Sequence, residues 1–450
     1  MFKKLMTLGV IFIFAPFVFG QEGEVGKQLT LHDCIEIALQ KNTSVLQAEY
    51  SSQGQSARLL SAYGALLPTI SGSGQFQYSN RQSPGGYVVV GGTVLPVSNI
   101  SINRSYSAGV GANYTLFDGM ANFAGLSQVR SQSQSAEENY TRAKQTAIYQ
   151  TTQNYLMVFN SRDQLKISQD NLKRDQQQLE SIKESNSVGS SSLADVYQQQ
   201  AIVSGDEYSL VQAKNAYDQA RANMKFFLGI PVTDSVIFAD SGISSEIDTT
   251  EFTQVNQKYS QMAQLLDKAL EARPDYRAAI ENVNATKSSV TIAKAAYSPT
   301  ISAFAQYGIT GPELQNINQN RSFYGGLSLS LPIFNGFQTQ TGIEVADVNM
   351  KSAEQTLDAT RRQVQLDVYQ ALLSLHAAEK GYESAGNAVT YAKINLETAQ
   401  EKYKIGSGTL LDVLTANAIY TQDLSNQVVA AYTYVQAKQQ VEFAIGTINY

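Results

Sequence analysis

The 450-residue chain has one cysteine, Cys34, two histidines, nine prolines and no tryptophan. A lone cysteine excludes an internal disulfide framework and a cysteine-rich zinc site. His32 and His376 fall on separate helical segments, which leaves no imidazole-based metal or triad site. The remaining residues offer no nucleophile–base pair and no ligand cluster, so the sequence points to no enzyme, no cofactor and no metal. Charged residues make up only 16%, against ~25% in ordinary globular chains. A net charge of −6 and a pI near 5.2 argue against nucleic acid as a partner. Scarce proline and 10% aromatics argue against disorder. Beyond the first twenty residues no run reaches the ~18 apolar residues of a transmembrane helix.

What fills the chain instead is glutamine, serine and asparagine, with 25 Tyr and 18 Phe. Residues 1–20 read as a secretory signal peptide: Lys3 and Lys4 form the basic start, and Leu5 to Phe19 is a short apolar stretch. Val18 and Gly20 then precede a cut before Gln21. Cys34 lies beyond that cut, so an acylated N-terminal cysteine is not indicated. The chain is expected to be exported.

The exported part is duplicated. Tyr114-Thr-Leu-Phe-Asp-Gly119 matches Leu331-Pro-Ile-Phe-Asn-Gly336, and Val188-Gly-Ser-Ser-Ser-Leu-Ala-Asp-Val196 matches Ile405-Gly-Ser-Gly-Thr-Leu-Leu-Asp-Val413 at the same offset. Pro68-Thr-Ile-Ser71 recurs as Pro299-Thr-Ile-Ser302 at a larger offset, the extra residues falling within 80–104. The plan is a first repeat over 21–231, a linker over 232–262 and a second repeat over 263–450.

Each repeat alternates helical and strand periods. Residues 29–64 read as a helix (Leu31, Ile35, Ala38, Leu39). Strands are predicted at about 69–79, 105–116, 300–309 and 322–331, each with one apolar face and one small polar face. Ile70, Gly72, Gly74, Phe76 and Tyr78 illustrate the first; Thr69, Ser71, Ser73, Gln75 and Gln77 the second. Ten-residue strands of this kind suit either a membrane barrel wall or a half-buried sheet in water. Gly109-Val-Gly111 belongs to this pattern and is not a phosphate loop, because no Lys-Ser/Thr follows.

After each second strand comes a helical stretch, Gly119 to about Ser185 and Gly336 to about Lys404. At ~1.5 Å per residue each runs on the order of 100 Å. Ile343, Met350, Leu357, Val364, Ala371, Ala378, Ala385, Ala392 and Ala399 form a heptad series. Val368, Leu375, Tyr382, Val389, Leu396 and Tyr403 accompany it, which is coiled-coil spacing. Val158, Leu165, Leu172 and Leu179 hold that register in the first repeat. So narrow a seam suits a wall one helix thick and wet on both sides. Both stretches break at glycine-containing tips, and helices return over 193–228 and 410–445.

Four strands cannot close a barrel, and lipid does not tolerate an open sheet edge. The strands must therefore be pooled, two chains giving eight and three giving twelve. The competing reading is a secreted or envelope coiled-coil protein without membrane strands or transport.

The signal peptide, the two-fold repeat, the Leu116-Phe-Asp-Gly119 and Pro332-Ile-Phe-Asn-Gly336 junctions, the Tyr403-Lys-Ile-Gly-Ser-Gly-Thr-Leu-Leu-Asp-Val413 tip and Leu228-Gly-Ile-Pro231 together resemble the TolC-type outer-membrane efflux proteins. The resemblance implies a mainly α chain with membrane β. It implies a homotrimer with a 12-strand β-barrel in the outer membrane of a Gram-negative-type cell, continued by a 12-helix α-barrel in the periplasm and carrying an equatorial belt. It also implies a passive channel-tunnel of a tripartite efflux or type I secretion system, docked to a periplasmic adaptor and an inner-membrane RND or ABC-type pump. By the same resemblance Asp195, Asp412 and Tyr403 would line the periplasmic aperture. Val188, Gly189, Ser190, Ile405, Gly406 and Ser407 would dock the adaptor, and Phe117, Gly119, Phe334 and Gly336 mark the strand-to-helix junctions. Relatives can carry a second acid where this chain has Thr415, and a locking arginine where it has Gly408.

Overall fold

The computed structural model describes residues 27–83, 85–96, 99–239, 247–248 and 250–448; the signal peptide expected at 1–20 lies outside the described residues. A short strand β1 (Lys27–Leu29) leads into α1 (Leu31–Lys41) and α2 (Thr43–Gly64). The single helix expected over 29–64 is thus two. Asn42 takes extended backbone, and its Oδ1 accepts from the Ser44 N–H at 2.9 Å, which starts a new helix. Helical periodicity alone cannot register such a cap.

Strands β2 (Thr69–Ser83), β3 (Tyr87–Val90), β4 (Thr93–Pro96) and β5 (Asn99–Phe117) follow. The first repeat's strands therefore run past the expected 79 and start before the expected 105. Asn80 to Ser83 pair with Ile102 to Asn99, and the inserted residues fold into the β3–β4 hairpin around Gly91-Gly92. Helix α3 (Ala121–Ser187) spans 67 residues and returns as α4 (Leu193–Phe227). The linker carries β6 (Val236–Phe238), which pairs in parallel with β1, and α5 (Thr250–Lys258); α6 (Met262–Ala272) opens the second repeat. The second repeat continues with α7 (Pro274–Ala295), β7 (Thr300–Gly311), β8 (Asn320–Ser330), α8 (Gln338–Lys404) and α9 (Leu410–Ile445). Leu331, expected in the last strand, falls just outside β8, and β7 ends at Gly311 rather than 309.

The four long strands form one antiparallel sheet in the order β2-β5-β7-β8. Helices leave it at one end, with α2 against α3, α3 against α7, and α7 against α8. Burial concentrates at the equator. One cluster packs Phe252, Leu265, Val368, Leu375, Tyr382 and Tyr434; another packs Tyr155, Phe159, Met224 and Leu228 with α1, β1 and β6. Of the two seam series in α8, Val364, Val368, Ala371, Leu375, Ala378, Tyr382, Ala392, Leu396 and Ala399 are buried. Ile343, Met350 and Leu357, nearer the sheet, are only half-buried within one chain.

The duplication extends to how the helices are clasped. The α1/α2 break at Asn42 corresponds to the α6/α7 break at Arg273, where Pro274 occupies N1. The Asn42 amide donates to the Phe227 carbonyl at 3.2 Å, and Arg273 NH1 donates to the Ala444 carbonyl at 3.3 Å. In each repeat the kink residue thus reaches the end of the returning helix, which stops at a left-handed glycine, Gly229 or Gly446.

Candidate functional site: a membrane sheet, its helix junctions and the helical tips

Strand register aligns the apolar residues of all four strands on one face. Ile70 opposes Ala112, Phe76 opposes Tyr106, Val110 opposes Tyr307, Ala303 opposes Leu327 and Ile301 opposes Leu329. Nothing among the described residues covers this face: Ile70 is 75% exposed, Phe323 74% and Leu327 71%. A half-buried sheet in water would cover its apolar side with a second layer, and the described residues supply none. A lipid-facing wall needs none. The opposite face carries Thr69, Ser71, Ser73, Gln75, Ser105, Ser107, Ser302, Gln306 and Ser328. Phe304 and Tyr324 interrupt it as an edge-to-face pair at 6.3 Å, with the Tyr324 hydroxyl bonded to Gln306. Among the described residues no helix is long and apolar enough to cross a membrane.

Both strand-to-helix junctions use two successive left-handed residues, Gly119-Met120 and Gly336-Phe337. The acid or amide just before each pair anchors the new helix. Asp118 Oδ2 accepts from the Asn122 N–H at 2.9 Å, and the Asn335 amide donates to Thr339 Oγ1 at 2.5 Å. The glycines differ in what demands them. A Cβ on Gly119 would lie 2.5 Å from Ser298 Cβ and 2.9 Å from the Ala295 carbonyl, whereas one on Gly336 would meet nothing. Gly119 is thus required by space and conformation, Gly336 by conformation alone. Phe117, Phe334 and Phe337 are exposed at this level, with Phe334 and Phe337 edge-to-face at 5.5 Å, the place where membrane barrels carry aromatic girdles.

At the other end the two tips share one backbone plan. The Gly189 N–H donates to the Asn186 carbonyl and Ser190 N–H to Ser185; Gly406 N–H donates to Tyr403 and Ser407 N–H to Lys402. With Gly189 and Gly406 left-handed, these are Schellman closures. A capping box opens each return. Ser192 N–H donates to Asp195 Oδ2 at 3.1 Å while Asp195 N–H donates to Ser192 Oγ at 3.1 Å. Thr409 N–H and Oγ1 donate to Asp412 Oδ2 at 2.9 and 2.7 Å. These bonds from Thr409, with a smaller pull from Lys402, hold the Asp412 carboxyl below the usual carboxylate range. Asp195 and Asp412 therefore cap their own helices, and neither bonds to the other tip. One oxygen of each remains for solvent or a ligand.

Tyr403 packs against the cluster of Leu396, Ala399, Val413 and Ala416, as does Tyr420. Val188 and Ile405 stand 78% and 75% exposed at the tip apices. A Cβ at Gly408 would lie 3.0 Å from Lys402 Cβ, so the position admits an arginine only if the turn shifts.

Two buried polar groups escaped the sequence reading. Arg273, 3% exposed, forks onto Asp275 through Nε at 3.0 Å and NH2 at 2.6 Å, and reaches Asp367 through NH1 at 2.7 Å. Arg142, stacked 4.0 Å over Phe443, adds an ion pair to Asp275 at 3.8 Å. Burial lowers the Arg142 pKa to about 10; burial pushes Asp275 up, but the Arg273 bonds and the Arg142 charge together outweigh it and hold the carboxyl below its usual range. The second group joins α3, α4 and α9 through Asn171, Arg174, Asp175, Gln199, Asp206 and Asn417. The spacing Asn-x-x-Arg-Asp in a helix dominated by Gln, Ser and Asn gives no periodic signal that could have marked it.

The Outer membrane efflux protein family matches residues 34–230 and 265–447. The chain is similar to the outer membrane protein TolC of Salmonella enteritidis, 25% identical over 398 residues, covering 86% of this chain and 76% of that protein. It is also similar to the pyoverdine export outer membrane protein OpmQ of Pseudomonas putida, 24% identical, with 76% and 71% covered. The fold matches the CmeC outer membrane channel of Campylobacter jejuni with a TM-score of 0.77 at 18% identity, covering 93% and 85% of the two chains. The exposed apolar sheet, the duplicated tips and this family match lead to one assignment: the chain belongs to the outer membrane efflux protein family and is an outer-membrane channel for efflux.

Proposed function

We propose that three copies pool their sheets into a twelve-stranded barrel and that their helices continue it as a twelve-helix periplasmic tube. The observation carrying this reading is that, among the described residues, β2 and β8 each end the sheet with one unpaired edge while its apolar face is bare. Lipid forbids an open edge, so β8 of one chain needs β2 of the next. Exposed apolar side chains on α4 (Tyr197, Tyr208, Val211) and α8 (Leu366, Tyr369, Leu373) suit neighbouring subunits at the same rotation.

The channel is passive, receiving cargo from a periplasmic adaptor and an inner-membrane RND or ABC-type pump, and performs no catalysis itself. Val188, Gly189, Ser190, Ile405, Gly406 and Ser407 form the adaptor contact, their exposed apolar apices being suited to a helical partner. Asp195, Asp412 and Tyr403 line the inner mouth, where six carboxylates in a trimer would bind cations and repel anions.

The test is conductance in planar bilayers. Because both acids cap helices, Asp195→Asn with Asp412→Asn is the informative pair, since asparagine keeps an acceptor for the cap and removes the charge. Loss of block by divalent cations added on the tip side is expected. Unchanged block removes both residues from the mouth.

A further inference from the structure

The polar group between α3, α4 and α9 sits along a cleft of about 350 Å³ whose lining includes Gln164, Asn171, Asp175, Asp206, Asn417 and Thr421. Its bonds tie three helices together. Asp175, 4% exposed, accepts at Oδ1 from Gln199 Nε2 on α4 at 3.1 Å and at Oδ2 from Asn417 Nδ2 on α9 at 2.9 Å. Asn171 Oδ1 accepts from Thr421 Oγ1 at 2.7 Å and from Arg174 NH2 at 3.1 Å, and its amide donates to Asp206 Oδ1 at 2.9 Å. Asp175 lies about 18 Å of helix above the first tip, and Asn417 about 12 Å above the second, at ~1.5 Å per residue. The group is therefore the fastening between the α3/α4 tip hairpin and α9.

One oxygen does not fit an ionised network. Asp206 Oδ2 is buried and receives no hydrogen bond, and the fully buried Gln199 leaves its own Oε1 unpaired. Protonated, the Asp206 carboxyl becomes a donor and can bond the Asp175 carboxylate beside it. Ionised, it leaves a buried acceptor without a donor next to a second negative charge. The charged groups facing Asp206 are Asp175 and Arg174, both from α3. Helix α9 offers only the neutral Asn417 and Thr421, and α4 the neutral Gln199. Arg174 gives its hydrogens to Asn171, Asn417 and Thr421 rather than to either carboxylate.

We propose that Asp175 and Asp206 form a proton-operated latch that fastens α4 to α3 within the first tip hairpin when one proton is shared between them and loosens it when the proton leaves. Burial, then the hydrogen bond and charge of Asp175, push the Asp206 carboxyl up to about 7 from an ordinary 3.8. The fastened state thus holds the proton more tightly than a parted state in which Asp206 is solvated. The sign follows from linkage: fastening is strongest below about pH 4, weakens as pH climbs toward 7, and weakens no further above that. A change of conductance with the latch would rest on the reading of the tips as the inner mouth; the latch itself does not.

The test compares hydrogen exchange of the full-length protein in detergent with that of Asp206→Asn, which keeps a neutral carboxyl-shaped side chain at every pH. Comparing both proteins at the same pH cancels the intrinsic pH dependence of exchange. The ratio of wild-type to variant exchange over 176–187 and 193–205 is expected to rise roughly tenfold or more from pH 5 to pH 8, the factor carried by each unit of pKa difference. Infrared detection of a protonated carboxylic acid at pH 5 that is absent in the variant reads the same proton directly. A flat ratio, or no such acid, overturns the latch whatever the conductance does. A rising ratio with pH-independent conductance leaves the latch standing and overturns the tips as the inner mouth.

Discussion

Replacing Arg273 by alanine removes the hub that holds the start of α7, the middle of α8 and the end of α9 together. Three of its four hydrogen bonds go to carboxylate oxygens and one to the Ala444 carbonyl. Breaking a fully buried ion pair costs about 3–5 kcal/mol. Here Asp275 and Asp367 keep 29% and 30% of their side-chain surface exposed, so water recovers part of that loss. About 2–3 kcal/mol is expected. Arg142, already 3.8 Å from Asp275, offsets a little more. Lysine preserves the charge and the stem that packs under Gly446, where a Cβ would sit 2.9 Å from Arg273 Cγ. It cannot fork onto Asp275 and reach Asp367 together, so about 1–2 kcal/mol is expected. Urea unfolding in detergent, followed by far-ultraviolet circular dichroism, should rank the midpoints wild type, then Arg273→Lys, then Arg273→Ala. An alanine variant with the wild-type midpoint, or a lysine variant as weak as alanine, refutes the hub. The same group sets an acid limit. Because Asp275 is held below 3.8 in the folded chain, its contribution is complete above about pH 4 and is lost as pH falls through the depressed value; loss beginning at neutral pH would contradict the assignment.

Gly119→Ala should lower the yield of folded, heat-modifiable protein far more than Gly336→Ala. Both pay about 1–2 kcal/mol for a left-handed alanine, and only the first also collides with Ser298; equal yields would show that the close approach is unimportant. Leu327→Lys, on the apolar face of β8, should destabilise membrane insertion by about 2–4 kcal/mol near mid-bilayer, while Ser328→Lys one residue on should be tolerated. Folding titrations into lipid vesicles measure the difference, and equal tolerance would contradict the lipid-facing side. Gly189→Glu with Gly406→Glu should abolish export and leave trimers intact on native gels. Normal export would remove the tips from adaptor docking.

Much of this architecture is legible in the chain because it is periodic or duplicated. The α8 seam from Val364 to Ala399 follows heptad spacing, and the lengths of α3 and α8 follow from the distance between a glycine junction and a glycine tip. The strand faces follow from strict alternation. Other features are single events that carry no period. Asn42 breaks a helix with one side-chain bond, and the strands of the first repeat lengthen because inserted residues 80–104 find each other as partners. Asp195 and Asp412 show a different limit. A Ser/Thr-x-x-Asp spacing reads equally as a capping box and as an acidic ring, and only the folded structure reveals where one of each pair of oxygens is bonded. The Arg273 hub and the Asp175–Asp206 pair depend on residues brought together from distant parts of the chain, so local sequence gave them no signature.

The central claim is that one chain is one third of a tube. Single-particle imaging of the detergent-extracted protein tests it most directly. The expected result is a three-fold particle with a short barrel and a helical shaft on the order of 100 Å long, as 67-residue helices require. A particle of two-fold symmetry, or a monomer whose sheet edges stay open, would contradict it.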